Sequence, residues 1–138
     1  MVGTRKAAVY RRERHSVSDL KAHVIFVTKY RQKVLSADSL ALIKVACESV
    51  ASKMGFQVLE FNGESDHVHL MIEYPPKLAI SQMVNAMKGV SSRRYGQAGL
   101  PKPQGKASLW SPSHFAVSVG GASIEVLKQY IKDQKGAP

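Results

Sequence analysis

Two histidines one residue apart, in Asp66-His67-Val68-His69-Leu70-Met71-Ile72-Glu73, have the types and spacing to grip a metal ion. On a β-strand alternate side chains share a face, so His67 and His69 project together while Val68, Leu70 and Ile72 point the other way. The imidazoles then stand about 7 Å apart along the strand and can act as a neutral pair of nitrogen ligands. The same spacing also suits histidines that only hydrogen-bond to loops, and the pair alone leaves both readings open. A second candidate group is Tyr130-Ile131-Lys132-Asp133-Gln134. Positions four apart on a helix share a face, so Tyr130 and Gln134 point the same way, with Asp133 nearby. A glutamine carbonyl oxygen can complete a metal's protein shell, and a phenol one turn away would sit beside a bound substrate. Such a pair is also common as plain surface residues on a helix.

The elements that must position these groups follow from the apolar patterning. His23-Val24-Ile25-Phe26-Val27-Thr28 is rich in β-branched and aromatic residues and predicts a first strand. Ser36 can cap a helix whose apolar residues Leu40, Ile43, Cys47, Val50 and Met54 recur at three- and four-residue steps until Gly55. Phe56 to Glu60, with Phe61, predicts a second strand, and the turn Asn62-Gly63-Glu64-Ser65 joins it as a hairpin to a third, Asp66 to Tyr74. Pro75-Pro76 stops that strand. A second helix follows from Ala79 to about Tyr95-Gly96 on the stripe Ile80, Met83, Val84, Met87 and Val90. Residues 97–113 read as a basic loop, Phe115 to Val119 as a short fourth strand, and a final helix capped by Ser123 runs to Gly136. The order strand, helix, strand, strand, helix, strand, helix is the α+β, ferredoxin-like split βαβ pattern. It predicts an antiparallel sheet with an additional C-terminal helix bearing Tyr130. Residues 1–18 are polar and basic without a sustained period and read as a mobile arm, leaving 19–138 as one domain.

A chain of 138 residues suits that single domain. Lysine and arginine outnumber acids by 20 to 10, giving a formal charge of +10 and a pI near 9.9. That excess points to a polyanionic partner, because neutralising phosphates releases condensed counterions. The cations cluster at Lys29, Arg31 and Lys33 after the first strand and at Lys88, Arg93 and Arg94 on the second helix. No apolar run is long enough to span a membrane, and no apolar segment follows the basic N-terminal residues as in a secretory signal. The single Cys47 reads as a small core residue in a reducing cytosol. No phosphate-binding glycine motif and no cluster of carboxylates for two-metal cleavage is present.

Taken together, the motifs resemble those of the single-tyrosine transposases of the HUH superfamily, the IS200-like enzymes of small bacterial insertion sequences. The resemblance runs from about His15 to Gln134. It is carried by His23-Val24-Ile25-Phe26-Val27-Thr28-Lys29-Tyr30-Arg31, Asp66-His67-Val68-His69-Leu70, Met87-Lys88-Gly89-Val90-Ser91-Ser92-Arg93, Leu109-Trp110-Ser111-Pro112-Ser113-His114-Phe115, Ser118-Val119-Gly120 and Tyr130-Ile131-Lys132-Asp133-Gln134. His114 departs from the aromatic residue, and Met87 from the leucine, that relatives often carry at these positions. The resemblance implies that His67, His69 and Gln134 bind one divalent ion, Mg²⁺ or Mn²⁺. It also implies that Tyr130 attacks a scissile phosphate of single-stranded DNA with hairpin ends, giving a 5′-phosphotyrosine. A homodimer with active sites shared between subunits, acting in the cytoplasm on the nucleoid, is implied as well. Gly120-Gly121, ahead of the last helix, then reads either as an ordinary turn or as a hinge deciding whose site that helix completes. Two rival readings are a domesticated relative that processes genomic repeat hairpins and a non-catalytic ferredoxin-like module that binds nucleic acid.

Overall fold

The structure is a computed structural model that describes residues 10–105, 108–119 and 124–133. Two short strands, β1 (Arg11–Glu13) and β2 (Ser16–Ser18), pair antiparallel where the sequence suggested a patternless arm. Their order comes from a distant contact: Arg11 donates through Nε and one terminal nitrogen to both carboxylate oxygens of Glu73, each at 2.7 Å. Such a two-pronged pair fixes direction as well as distance, and nothing local in the sequence announces it.

Strand β3 (Lys21–Thr28) occupies the middle of the main sheet, flanked by β5 (His67–Glu73) and β6 (Trp110–Ser118), with β4 (Gln57–Gly63) outside β5. All neighbours are antiparallel, and the order β4-β5-β3-β6 is that of the ferredoxin-like fold. Helix α1 (Ala37–Met54) starts where the Ser36 hydroxyl accepts the Ser39 amide at 3.1 Å. It ends at Gly55, whose φ of +90° suits a residue without a Cβ. Helix α2 (Ile80–Gln97) begins with the Ala79 amide donating to Gln82 Oε1 at 3.0 Å.

Both helices cover one face of the sheet. Ala22, Val24 and Phe26 of β3 and Val68, Leu70 and Ile72 of β5 are fully buried against Ile43, Cys47, Met83, Val84 and Met87. Cys47 is a core residue, as its spacing suggests, and burial pushes its thiol up to about 12, so it stays protonated. Helix α3 (Ile124–Asp133) lies on the opposite face, where Tyr130 and Ile131 pack on Ile25, Val27, Phe115 and Val117. The sheet therefore separates a two-helix layer from a single-helix layer.

Strand β6 starts at Trp110, five residues before the expected Phe115. Ser111-Pro112-Ser113-His114 has no strand pattern, and Pro112 is tolerated because β6 is an edge strand. Tyr95, wholly buried, ties the loop after α2 to α1: its hydroxyl lies 2.6 Å from the Pro101 carbonyl and 3.1 Å from Ser39 Oγ. Removing that hydroxyl leaves the Pro101 carbonyl without this donor and cuts the buried contact to Ser39. Tyr95→Phe is expected to lower stability by about 1–3 kcal/mol, read as an earlier urea midpoint with an unchanged slope.

Candidate active site

His67 and His69 alternate with the buried Val68 and Leu70 on β5, so both imidazoles lie on the α3 side of the sheet, as strand periodicity predicts. Across β3 their partners are Val27 and Ile25, the residues on which α3 packs. The ring of His67 is fixed at Nδ1, 2.8 Å from Asp66 Oδ1. The other Asp66 oxygen accepts Arg31 Nε at 2.7 Å. Burial favours the neutral form of Asp66, but the hydrogen bonds from His67 and Arg31 outweigh it and hold the carboxyl below its ordinary range.

His69 has a different neighbour. Its Nε2 lies 3.0 Å from Nδ1 of His23, and the two ring centroids are 5.0 Å apart. Burial, followed by the proximity of His23, lowers the pKa of His69 and favours the neutral ring. A neutral imidazole is the form that can offer a lone pair to a cation. Among the described residues no group of three or more histidine, cysteine or acidic side chains is arranged to hold a metal ion.

Tyr130 is half-buried on the same face. Its ring lies 4.7 Å from that of Phe115 in β6, two strand spacings (roughly 10 Å) from the histidine strand. The phenol oxygen is shut off from solvent without a hydrogen bond of ordinary geometry. Burial raises its pKa, and the nearby Ser113 side chain offsets only part of that rise. Asp133 accepts a hydrogen bond at 2.8 Å from Gln129, one turn earlier on α3, and makes no described contact with Tyr130. Gln134, Gly120 and Gly121 lie outside the described residues.

The basic residues divide between the two sides of the sheet. Lys29, Arg31 and Lys33 follow the end of β3, beside the Asp66-His67 corner. Arg93 and Arg94 belong to α2, in the layer on the far side from the histidines, and Arg94 donates to Ser49 of α1 at 3.2 Å. Lys88 reaches the start of β6, where its ammonium donates to the carbonyls of Ser111, Pro112 and Ser113 at 2.7, 3.3 and 3.1 Å. Its three donors are thereby occupied by the chain itself, and desolvation lowers its pKa.

Comparison with known proteins decides the family. The family model described as "Transposase IS200 like" matches residues 16–134. The chain belongs to the IS200-like transposase family. The ISDra2 transposase TnpA of Deinococcus radiodurans is 32% identical over 121 residues, covering 86% of each chain. The transposase for insertion sequence element IS200 of Salmonella typhimurium is 26% identical over 122 residues, 87% of this chain and 80% of the relative. A crystal structure from Deinococcus radiodurans R1, assigned as a transposase, superposes with a TM-score of 0.80 at 29% identity, covering 93% of this chain and 99% of that one. A REP-associated tyrosine transposase, solved bound to a REP hairpin, shares the fold with a TM-score of 0.57 at 12% identity, covering 88% of this chain and 67% of that one. Membership in the IS200-like family carries the class of activity, DNA cleavage and strand transfer.

Two further residues of this IS200-like transposase stand at the histidines, beyond the roles expected from the sequence. His23, given no site role by the sequence motifs, shares the odd-numbered face of β3 with Ile25 and Val27 and is therefore on the histidine side. Arg31, which the sequence suggests as a phosphate contact, bonds to Asp66, a link between residues 35 apart in sequence that no local pattern signals. Among the described residues no helix is long and apolar enough to cross a membrane.

Proposed function

We propose that the chain is a metal-dependent transposase of single-stranded DNA in which His67 and His69, with Gln134, hold one divalent ion and Tyr130 is the nucleophile. The observation that carries this reading is the common face: the histidine pair and Tyr130 lie on one side of the sheet. The donor set fits such an ion. The Asp66 contact occupies Nδ1 of His67 and leaves Nε2 as its ligand atom, while burial favours the neutral form of His69. Because Nε2 of His69 is engaged by His23, ligation through that atom requires His23 to turn aside. Imidazole donors favour Mn²⁺ over Mg²⁺, and both are candidates. Bound there, the ion would polarise the scissile phosphate as a Lewis acid.

The protein's own part in the reaction is the tyrosine. Tyr130 Oη forms a bond to phosphorus as the P–O3′ bond breaks; the phenol proton leaves to a base or to solvent, and the departing oxygen becomes a 3′-hydroxyl. A phenol, with a pKa of about 10, is a far better leaving group than an alkanol, so a second 3′-hydroxyl can reverse the step without a nucleotide cofactor. DNA binding falls to Lys29 and Lys33 near the histidines, with Arg93 and Arg94 on the far layer, while Arg31 is held by Asp66. Lys88 already serves the carbonyls of β6.

Tyr130 with its oxygen enclosed and its pKa raised is poorly placed to attack, which supports a movement of α3 before cleavage. Gly120-Gly121 is the proposed hinge, delivering Tyr130 to the histidines of its own subunit or of a second copy in a homodimer. Replacing both glycines with alanine is expected to reduce strand transfer more than hairpin binding, compared by product gels and by mobility shift. Equal loss of both, or of neither, would sink the hinge. The test of the function itself is incubation with Mn²⁺ or Mg²⁺ and single-stranded hairpin DNA bearing a cut site. A covalent protein–DNA adduct that requires the metal supports the enzyme, and hairpin binding without an adduct across metals and end sequences counts against it.

A further inference from the structure

We infer that Arg31 and Asp66 are a positioning pair that fixes His67 as its Nδ1–H tautomer and turns its Nε2 lone pair outward for a metal. The inference rests on the reading of His67 as a metal ligand given above. Asp66 is only 5% exposed, and each of its carboxylate oxygens has one partner: Oδ1 faces His67 Nδ1 at 2.8 Å and Oδ2 faces Arg31 Nε at 2.7 Å. An ionised carboxylate only accepts hydrogen bonds, so the ring nitrogen that faces it must carry the proton. The remaining nitrogen of the neutral ring then has the lone pair, the arrangement by which outer partners orient metal-bound histidines.

The main chain is arranged to deliver Arg31 to this spot. Tyr30 and Arg31 are consecutive non-glycine residues with φ of 58° and 52°, a left-handed conformation that side chains with a Cβ adopt only against a steric penalty. Such strain persists only where the surroundings over-determine it. Here Lys29 N donates to the Leu109 carbonyl at 2.9 Å, Thr28 Oγ1 donates to the Gln32 carbonyl at 2.7 Å, and Arg31 closes on Asp66. The Asp66 carbonyl is tied to the same corner, accepting the Thr28 amide at 3.0 Å. The end of β3 and the start of β5 are thus locked together at the residue that touches His67.

The test uses metal-free, ¹⁵N-histidine-labelled protein. In the unaltered chain the His67 signals should show the Nδ1–H tautomer. Asp66→Asn cannot accept from both Arg31 and His67, because one side of its amide is a donor, so the tautomer should become mixed or switch. Mn²⁺ affinity, measured by electron paramagnetic resonance on the protein with Mn²⁺ alone, should fall by about 10–100-fold. Arg31→Gln, which leaves the carboxylate in place but loosens it, should move both readouts in the same direction. It also decides the matter if Asp66→Asn does not fold. An unchanged tautomer with Mn²⁺ affinity within about twofold of the original in a folded variant overturns the inference. His67→Ala separates the two levels: loss of Mn²⁺ there with no effect at Asp66 or Arg31 keeps the metal reading and removes the positioning pair. Equal Mn²⁺ binding with and without His67 removes both.

Discussion

Tyr130→Phe is expected to abolish covalent attachment to DNA while leaving the protein as stable as before, or slightly more so. The first half follows from chemistry. A phenylalanine ring has no oxygen to bond phosphorus, and loss of a nucleophile typically lowers turnover by several orders of magnitude. The second half follows from the place of that oxygen. It is buried without a hydrogen bond of ordinary geometry, while the ring packs on Phe115 with Ile25 and Val27 around it. Removing a poorly satisfied buried hydroxyl and keeping the ring is close to neutral or stabilising, by up to about 1 kcal/mol. Thermal unfolding should therefore shift by no more than roughly 3 °C, and upward if at all. Hairpin binding by mobility shift should persist. The adduct would be read on a denaturing gel after incubation with Mn²⁺. An adduct surviving in Tyr130→Phe removes Tyr130 as nucleophile. A marked fall in stability would mean that the hydroxyl holds the fold together rather than waiting to react.

The parts of this molecule that were legible in the sequence are those governed by local periodicity. Val68, Leu70 and Ile72 alternate with His67, His69 and Met71, and that alone places the histidines on the partly open face. The helices announced themselves by Ser36 and Gly55 and by the stripe through Met83, Val84 and Met87. What was illegible depends on partners far away in the chain. The β1–β2 ribbon is too short and polar to carry a pattern, and its anchor Glu73 lies 62 residues from Arg11. At the early start of β6, in a segment with no strand signal, the Lys88 ammonium gathers three carbonyls and β3 supplies the pairing. Lys88 and Arg31 looked alike as surface cations. Only the fold shows that one supports a strand and the other supports Asp66. Tyr130 and Gln134 drew their roles from family resemblance, since a helix face by itself does not distinguish a nucleophile from an ordinary tyrosine.

The paired substitution His67→Ala with His69→Ala should produce the second large effect, loss of metal-dependent cleavage with DNA binding largely kept. Lewis-acid assistance contributes several kcal/mol at the transition state, so cleavage should fall on the order of 10³-fold or more. Binding rests instead on phosphate neutralisation by a chain whose lysines and arginines give it a formal net charge of +10, and these are untouched by the substitutions. The variant should accordingly keep the salt sensitivity of hairpin binding while losing Mn²⁺ uptake and the adduct together. Acidification offers an independent check on His69. Protonation of its ring competes with a metal, and burial together with the proximity of His23 holds its pKa below the ordinary histidine range. A depressed pKa keeps the lone pair available further into acid, so Mn²⁺ binding through this ring should be lost only below that range. His23→Ala both admits water and removes the neighbouring ring, which raises the pKa of His69. The Mn²⁺ titration of that variant should then fail at a higher pH than that of the unaltered chain. A midpoint that stays put would show that His69 is not the ring whose protonation releases the metal. Full cleavage in the double variant would remove the histidine pair from the chemistry and leave β5 as scaffold alone.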